Sequence, residues 1–122
     1  MEEIRICSYD EIRELKSLSK ESVDFHNNGK TIYIGYFDNG EILGVVGYQW
    51  IGTKLRYKTD GVKASCRGRG IYTKLFAYRD SLCSKLAAKS TTAFCTSKSI
   101  GTYLKNGFKV KSVNKGITFV ER

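Results

Sequence analysis

The 122-residue chain contains no proline, one histidine, one tryptophan and one methionine. Without proline, the breaks between elements fall to its 12 glycines and to the Asn and Asp residues beside them. Its four cysteines, Cys7, Cys66, Cys83 and Cys95, lie 59, 17 and 12 residues apart, with no C-x-x-C pair and only His26 as an imidazole partner. That spacing argues against a zinc site, and no metal is expected. Three of the four sit inside apolar patterns, where a free cysteine behaves as a small hydrophobe. Reduced, buried thiols and a cytoplasmic setting are therefore expected. Long apolar runs are missing as well. Residues 42–46, with Gly44 inside, fall far short of the ~18 residues that a membrane span requires. Met1 precedes Glu2 and Glu3 rather than a basic start and an apolar stretch. Neither a membrane partner nor secretion is expected.

The remaining composition is that of a globular chain, 41% apolar and 27% charged. At ~100–200 residues per domain the length predicts one domain spanning residues 1–122. The net charge of +9 is unevenly spread. Residues 1–50 carry five basic and nine acidic side chains, and residues 51–122 carry sixteen and three. A field of one sign concentrates anions, so nucleic acid, an acidic protein, a membrane surface or a polyphosphate cofactor would each satisfy it, and charge alone does not choose among them.

Periodicity predicts a short strand at 3–7, then a helix at 9–19 that opens with the capping box Ser8-x-x-Glu11 and carries Ile12, Leu15 and Leu18 on one side. A second short helix is expected at 21–28. Strands at 31–37 and 41–51 flank Asp38-Asn39-Gly40, a strong hairpin signal, and a third strand follows at about 54–63. Ile71, Leu75, Tyr78, Leu82 and Leu86 recur at helical spacing and predict a helix of about four turns with its apolar face on the sheet. A strand at 91–96, a short helix at 99–106 closed by Gly107, and a hairpin of 108–113 with 117–121 complete the chain. The fold class is α+β, a mixed, largely antiparallel twisted sheet flanked by helices.

The chemistry centres on Val62-Lys63-Ala64-Ser65-Cys66-Arg67-Gly68-Arg69-Gly70-Ile71-Tyr72-Thr73-Lys74-Leu75. A glycine-rich turn opening a helix leaves first-turn amides unpaired at the positive end of the helix dipole, an arrangement suited to phosphate. Neither the Walker A nor the dinucleotide-binding pattern is present. By itself, Arg67-Gly68-Arg69-Gly70 also reads as a cationic segment of the kind found in nucleic-acid tails.

Arg67-x-x-Gly70-x-Tyr72 resembles [RQ]-x-x-G-x-[GA], the pyrophosphate-binding pattern of the GNAT superfamily of N-acetyltransferases, with Val62 and Leu75 at its flanking apolar positions. Downstream, Thr96-x-x-Ser99-x-x-x-Tyr103-x-x-x-Gly107-Phe108 is similar to the family's N-x-x-[AS]-x-x-x-Y-x-x-x-G-F. The order of elements fits the family over essentially the whole chain. The sequence departs from these patterns at two positions. Tyr72 stands where the family has a small residue, and its phenol is expected either to disturb the loop or to reach a phosphate oxygen. Thr96 replaces a frequent Asn.

The resemblance implies acetyl transfer from acetyl-CoA to an amine in a ternary complex. It assigns the cofactor to Val62, Lys63, Arg67, Gly68, Arg69, Gly70, Ile71, Tyr72 and Thr73, and to Thr96 and Ser99. The pantetheine arm would lie between the third strand of the triplet and the strand after the long helix, with an amide near Val62 polarising the thioester. Tyr103 is the implied acid, and packing is its ordinary alternative role. The base is open among Asp60, His26 and water. His26 also lies in the segment that walls the acceptor pocket in the family. Tyr48, Trp50 and Tyr57 read as sheet-face aromatics or acceptor contacts, and Lys54, Arg56 and Lys58 as a solvated strand face.

The leading expectation is an N-acetyltransferase acting on a small-molecule or protein amine, as a monomer or homodimer. The basic second half keeps a nucleic-acid-directed acyltransferase, or an acidic protein partner, in second place. An inactive binding module of the same fold is the third reading.

Overall fold

The computed structural model describes residues 1–18 and 29–122; the expected short helix at 21–28, with His26, lies outside the described residues. The elements are β1 (Glu2–Cys7), α1 (Tyr9–Leu18), β2 (Ile32–Asp38), β3 (Glu41–Ile51), β4 (Lys54–Val62), α2 (Ile71–Cys83), β5 (Thr91–Cys95), α3 (Ile100–Lys105), β6 (Lys109–Asn114) and β7 (Ile117–Glu121). A single 3-10 turn, Ala64–Cys66, lies between β4 and α2. No described helix is long and apolar enough to cross a membrane.

The turns follow from their residues. Asn39 and Gly40 have φ of 51° and 83°, and Lys115 and Gly116 have 51° and 79°. Two successive positive-φ residues give the turn whose twist matches paired strands. At the start of α1 the Ser8 amide donates to Glu11 Oε2 at 2.8 Å and the Glu11 amide donates to Ser8 Oγ at 3.3 Å, which closes the capping box.

The seven strands form one sheet in the order β1-β2-β3-β4-β5-β7-β6. The first four pair antiparallel in succession. The crossover through α2 returns the chain to the same end of the sheet, so β5 pairs parallel to β4, and β7 inserts antiparallel between β5 and β6. On one face α1 covers Tyr33, Phe37, Ile42 and Val45 with Ile12 and Leu15. On the other, α2 and α3 close a larger core over Ile34, Tyr36, Val46, Tyr48, Leu55 and Tyr57.

The buried face of α2 differs from the expected one. Ile71, Leu75, Phe76, Arg79 and Cys83 are buried, Tyr78 is exposed, and the helix ends at Cys83, before Leu86. Steps of four from Ile71 pass through position 79, and an arginine there does not register as part of an apolar stripe. The stripe therefore appeared to run through Tyr78 and Leu82. All four cysteines are free thiols, three of them buried. Burial pushes Cys7 and Cys83 up to about 11 and Cys95 to about 12, so they stay protonated at neutral pH.

α2 sits close on β3 because Gly44 has no side chain. A Cβ there would lie 3.0 Å from Ile71 Cγ2 and 3.1 Å from Leu75 Cδ1. Gly44→Val is therefore expected to destabilise the fold by about 1–3 kcal/mol through overpacking. The urea midpoint measures this, and an unchanged midpoint would mean that α2 shifts away without loss.

Candidate active site

β4 and β5 pair only over Leu55–Thr91, Arg56–Thr92 and Tyr57–Ala93. Beyond that they diverge, because β4 is bulged. Val45 pairs with Gly61 and Gly47 with Lys58, so Val46 stands opposite both Thr59 and Asp60, and Thr59 takes φ of 61°. The extra residue changes the phase of the strand, bringing the Tyr57 and Asp60 side chains both against α2. The gap between the strands opens a cleft of about 470 Å³ lined by β4, the turn before α2, the start of α2, Phe94, Thr96, Lys98, Ser99 and Tyr103.

Inside it lies a buried ion pair. Arg79, fully buried, donates from Nη1 to Asp60 Oδ1 at 2.7 Å and from Nη2 to Asp60 Oδ2 at 3.1 Å. The Tyr72 hydroxyl donates to the same Oδ2 at 2.5 Å and the Tyr103 hydroxyl at 2.7 Å. Arg79 also donates to Gly47 O at 2.9 Å and to the Tyr103 oxygen at 3.3 Å, and its Cζ lies 3.9 Å from the Tyr57 ring centroid. Burial opposes the charge on Arg79, but Asp60 more than offsets this and holds its pKa well above the ordinary value. Burial first, with Asp60 adding, raises the Tyr72 and Tyr103 phenols well above theirs, while Arg79 pulls both down. Both tyrosines keep their protons across the ordinary pH range.

The other end of the cleft is the turn into α2. Gly68 and Gly70 have φ of 81° and 79°, and a Cβ on either would meet nothing within 4 Å. The first intrahelical bond at this end runs from the Lys74 amide to Gly70 O at 3.1 Å, which leaves the Ile71, Tyr72 and Thr73 amides without helical acceptors. These amides open on the cleft beside Arg67.

Of the expected cofactor residues, Val62, Arg67, Gly68, Gly70, Ile71, Tyr72, Thr73, Thr96 and Ser99 line this cleft. Lys63 and Arg69 do not: Lys63 bridges to Glu41, and Arg69 points at Cys66 Sγ, 3.5 Å away. The Tyr72 phenol turns onto Asp60 rather than toward the loop, so it does not reach for a phosphate. Asp60 receives four donors, three on Oδ2 and one on Oδ1, so its carboxylate anchors Arg79 and both tyrosines while it lines the cleft. Arg56 and Lys58 are not a solvated face but line the cleft, as do Gln49, Tyr57 and Phe94. Trp50 is exposed and Tyr48 is buried in the core. Arg79 went unrecognised in the sequence, where its signal was an arginine in step with Ile71, Leu75 and Cys83.

No protein-family model matches the sequence, and no curated protein does. Solved structures match across the whole chain. PaiA N-acetyltransferase from Thermoplasma acidophilum, in complex with coenzyme A, superposes with a TM-score of 0.81 at 16% identity, covering 100% of this chain and 98% of that one. Ribosomal-protein-S18-alanine N-acetyltransferase from Escherichia coli gives 0.82 at 10% identity, covering 99% and 92%. A GNAT-family acetyltransferase from Streptococcus pneumoniae gives 0.78 at 12% identity, covering 100% and 99%. The chain has the GNAT fold, as its motifs implied.

Removing one partner of the buried pair strands the other. Arg79→Met is expected to destabilise by about 3–5 kcal/mol, and Arg79→Met with Asp60→Asn by clearly less than the two single changes added together. Strictly additive urea-denaturation costs would show that the two groups are uncoupled. A second pair is pH-sensitive. Burial raises the Asp80 pKa, but Arg122 at 2.9 Å and the Tyr57 hydroxyl at 2.6 Å hold it below the usual 3.8. A depressed native pKa stabilises above the unfolded value and is lost as pH falls through the native one. Stability should therefore drop below about pH 4, and less steeply in Asp80→Asn. Parallel acid limbs in urea titrations would exclude Asp80 as their source.

Proposed function

We propose that the protein transfers the acetyl group of acetyl-CoA to a primary amine in a ternary complex. The observation that carries this reading is the cleft itself, with an open glycine turn and unpaired α2 amides at one end and Tyr103 facing the gap between β4 and β5. The residues fit the cofactor. The space over Gly68 and Gly70 admits a phosphate, and the Ile71, Tyr72 and Thr73 amides with Arg67 supply donors for it. Past Tyr57 the edge of β4 that faces β5 leaves the β-ladder, so its backbone groups suit an extended pantetheine arm. When bound, acetyl-CoA supplies the activated acetyl thioester.

Tyr103 is the proton donor in this reading. Its raised pKa keeps the proton available, Asp60 holds the hydroxyl in place, and Arg79 stabilises the oxygen as the proton leaves. With Asp60 engaged by Arg79 and the two tyrosines, the acceptor ammonium loses its proton to water in the cleft in this reading. The buried thiols suit a reducing cytoplasm.

Acetyl-CoA at about 100 times its Kd should add about 2.7 kcal/mol of stability, raising Tm by several degrees. Gly70→Asp, which sets a carboxylate against phosphate, should remove that shift. An unmoved Tm with the unaltered chain at millimolar cofactor would sink the assignment. Tyr103→Phe should lower kcat by about 100-fold or more with the cofactor-induced Tm shift retained. Unchanged turnover would reduce Tyr103 to packing.

A further inference from the structure

The cleft carries a second cationic feature, away from the proposed phosphate turn. Arg56 lies six residues before Val62 along β4, roughly 20 Å at the rise of a strand, too far to share an anion with the α2 amides. It is in register with Gln49 on β3 and Thr92 on β5, which places the three side chains in one row on one face of the sheet. Its neighbours Leu55 and Tyr57 are buried toward α2, so that row lies on the opposite face. The proposed cofactor turn and Arg56 therefore stand on opposite sides of the gap between β4 and β5.

The guanidinium is held in place without being neutralised. Arg56 Nε donates to Thr92 Oγ1 at 2.9 Å, and its Cζ lies 4.7 Å from the Phe94 ring centroid and 5.9 Å from that of Phe119. Phe94 and Phe119 pack at 4.9 Å, and Phe94 is 54% exposed. Among the described residues no carboxylate meets Arg56. Burial lowers its pKa, and among the described residues no acidic group opposes that. The three acidic side chains of residues 51–122 are each engaged elsewhere: Asp60 with Arg79, Asp80 with Arg122, and Glu121 with Lys54. A half-buried arginine, oriented by Thr92 and two aromatic rings and lining a cleft, is poised for a planar or tetrahedral anion that its fork can grip at two points.

We propose that the acceptor is a small amine that also carries an anionic group, a carboxylate or a phosphate, and that this group docks on Arg56. The inference rests on reading the cleft as an acetyl-transfer site. The acid anchors one end of the acceptor on the face opposite α2, and the amine is thereby directed into the gap toward Tyr103. Lys58 lies along the same wall and donates to Gln49 at 3.2 Å.

The test uses two matched pairs, β-alanine against its methyl ester and phosphoethanolamine against ethanolamine. Calorimetric titration into the full chain should show each acid binding at least about tenfold more tightly than its uncharged counterpart. Arg56→Gln should erase that preference, and Arg56→Lys, which keeps charge but not the fork, should retain part of it. Both variants should keep the acetyl-CoA-induced Tm shift, which checks that they fold. The kcat/KM ratio of acid to neutral partner should follow the same pattern. Preference for the carboxylate pair or for the phosphate pair identifies the source of the anion. Equal binding of acids and neutral amines, preference for a polyamine, or discrimination that survives Arg56→Gln overturns the proposal. Arg56-dependent binding of the acids without any acetyl-CoA effect would leave the anion site standing and remove the acetyl-transfer reading instead.

Discussion

The structure turns on the contact between Arg79 and Asp60. An unpaired charge at either position would carry a large desolvation penalty, so the two groups must meet. In meeting they fix the position of α2 relative to β4. Tyr72 and Tyr103 complete the carboxylate, and Gly47 O takes a further guanidinium hydrogen. One ion pair thus ties β3, β4, α2 and α3 together. A hydrophobic contact of equal volume would pack as well but would not dictate orientation. Here the planar fork and the two oxygens of Asp60 allow few arrangements.

That constraint reaches the cleft from both ends. α2 begins at Ile71, so anchoring the helix through Arg79 also sets where its unpaired amides point. Tyr103 is held from α3 by the same carboxylate. Between them the strands must separate. The bulge at Thr59 and Asp60 turns the Asp60 side chain toward Arg79, and β4 then no longer follows β5. The cleft and the ion pair are two results of one irregularity in one strand.

The uneven charge of the chain also has a spatial meaning. Its second half holds only three acidic side chains, and each is consumed in a specific bridge. Of the other cations, Lys63 bridges to Glu41, Arg67 lines the cleft at the proposed phosphate end and Arg56 lines it at the other. In the proposed reading a phosphate-bearing cofactor would meet the first and the acceptor's acid the second.

Much of this was legible in the order of residues. The capping box at Ser8 and Glu11, the paired positive-φ turns at Asn39-Gly40 and Lys115-Gly116, and the glycine turn opening a helix are all local, set by residues within a few positions of one another. They led to the element order, and with the Arg67-x-x-Gly70 and Tyr103/Gly107-Phe108 patterns, to the fold. What only the tertiary structure decided concerns partners far apart in the chain. Periodicity passes over Arg79 because it counts polarity, whereas burial depends on whether Asp60, 19 residues away, supplies the opposite charge. Asp60 was one of the candidate bases, from its position two residues before Val62. Its carboxylate is met by side chains from two helices that no local pattern connects to it. Tyr72 and Arg56 were decided in the same way, by distant partners: Asp60 for the first, Thr92 and Phe94 for the second. Local hydrogen bonding and periodicity determine elements; the state of a charge depends on everything that folds around it.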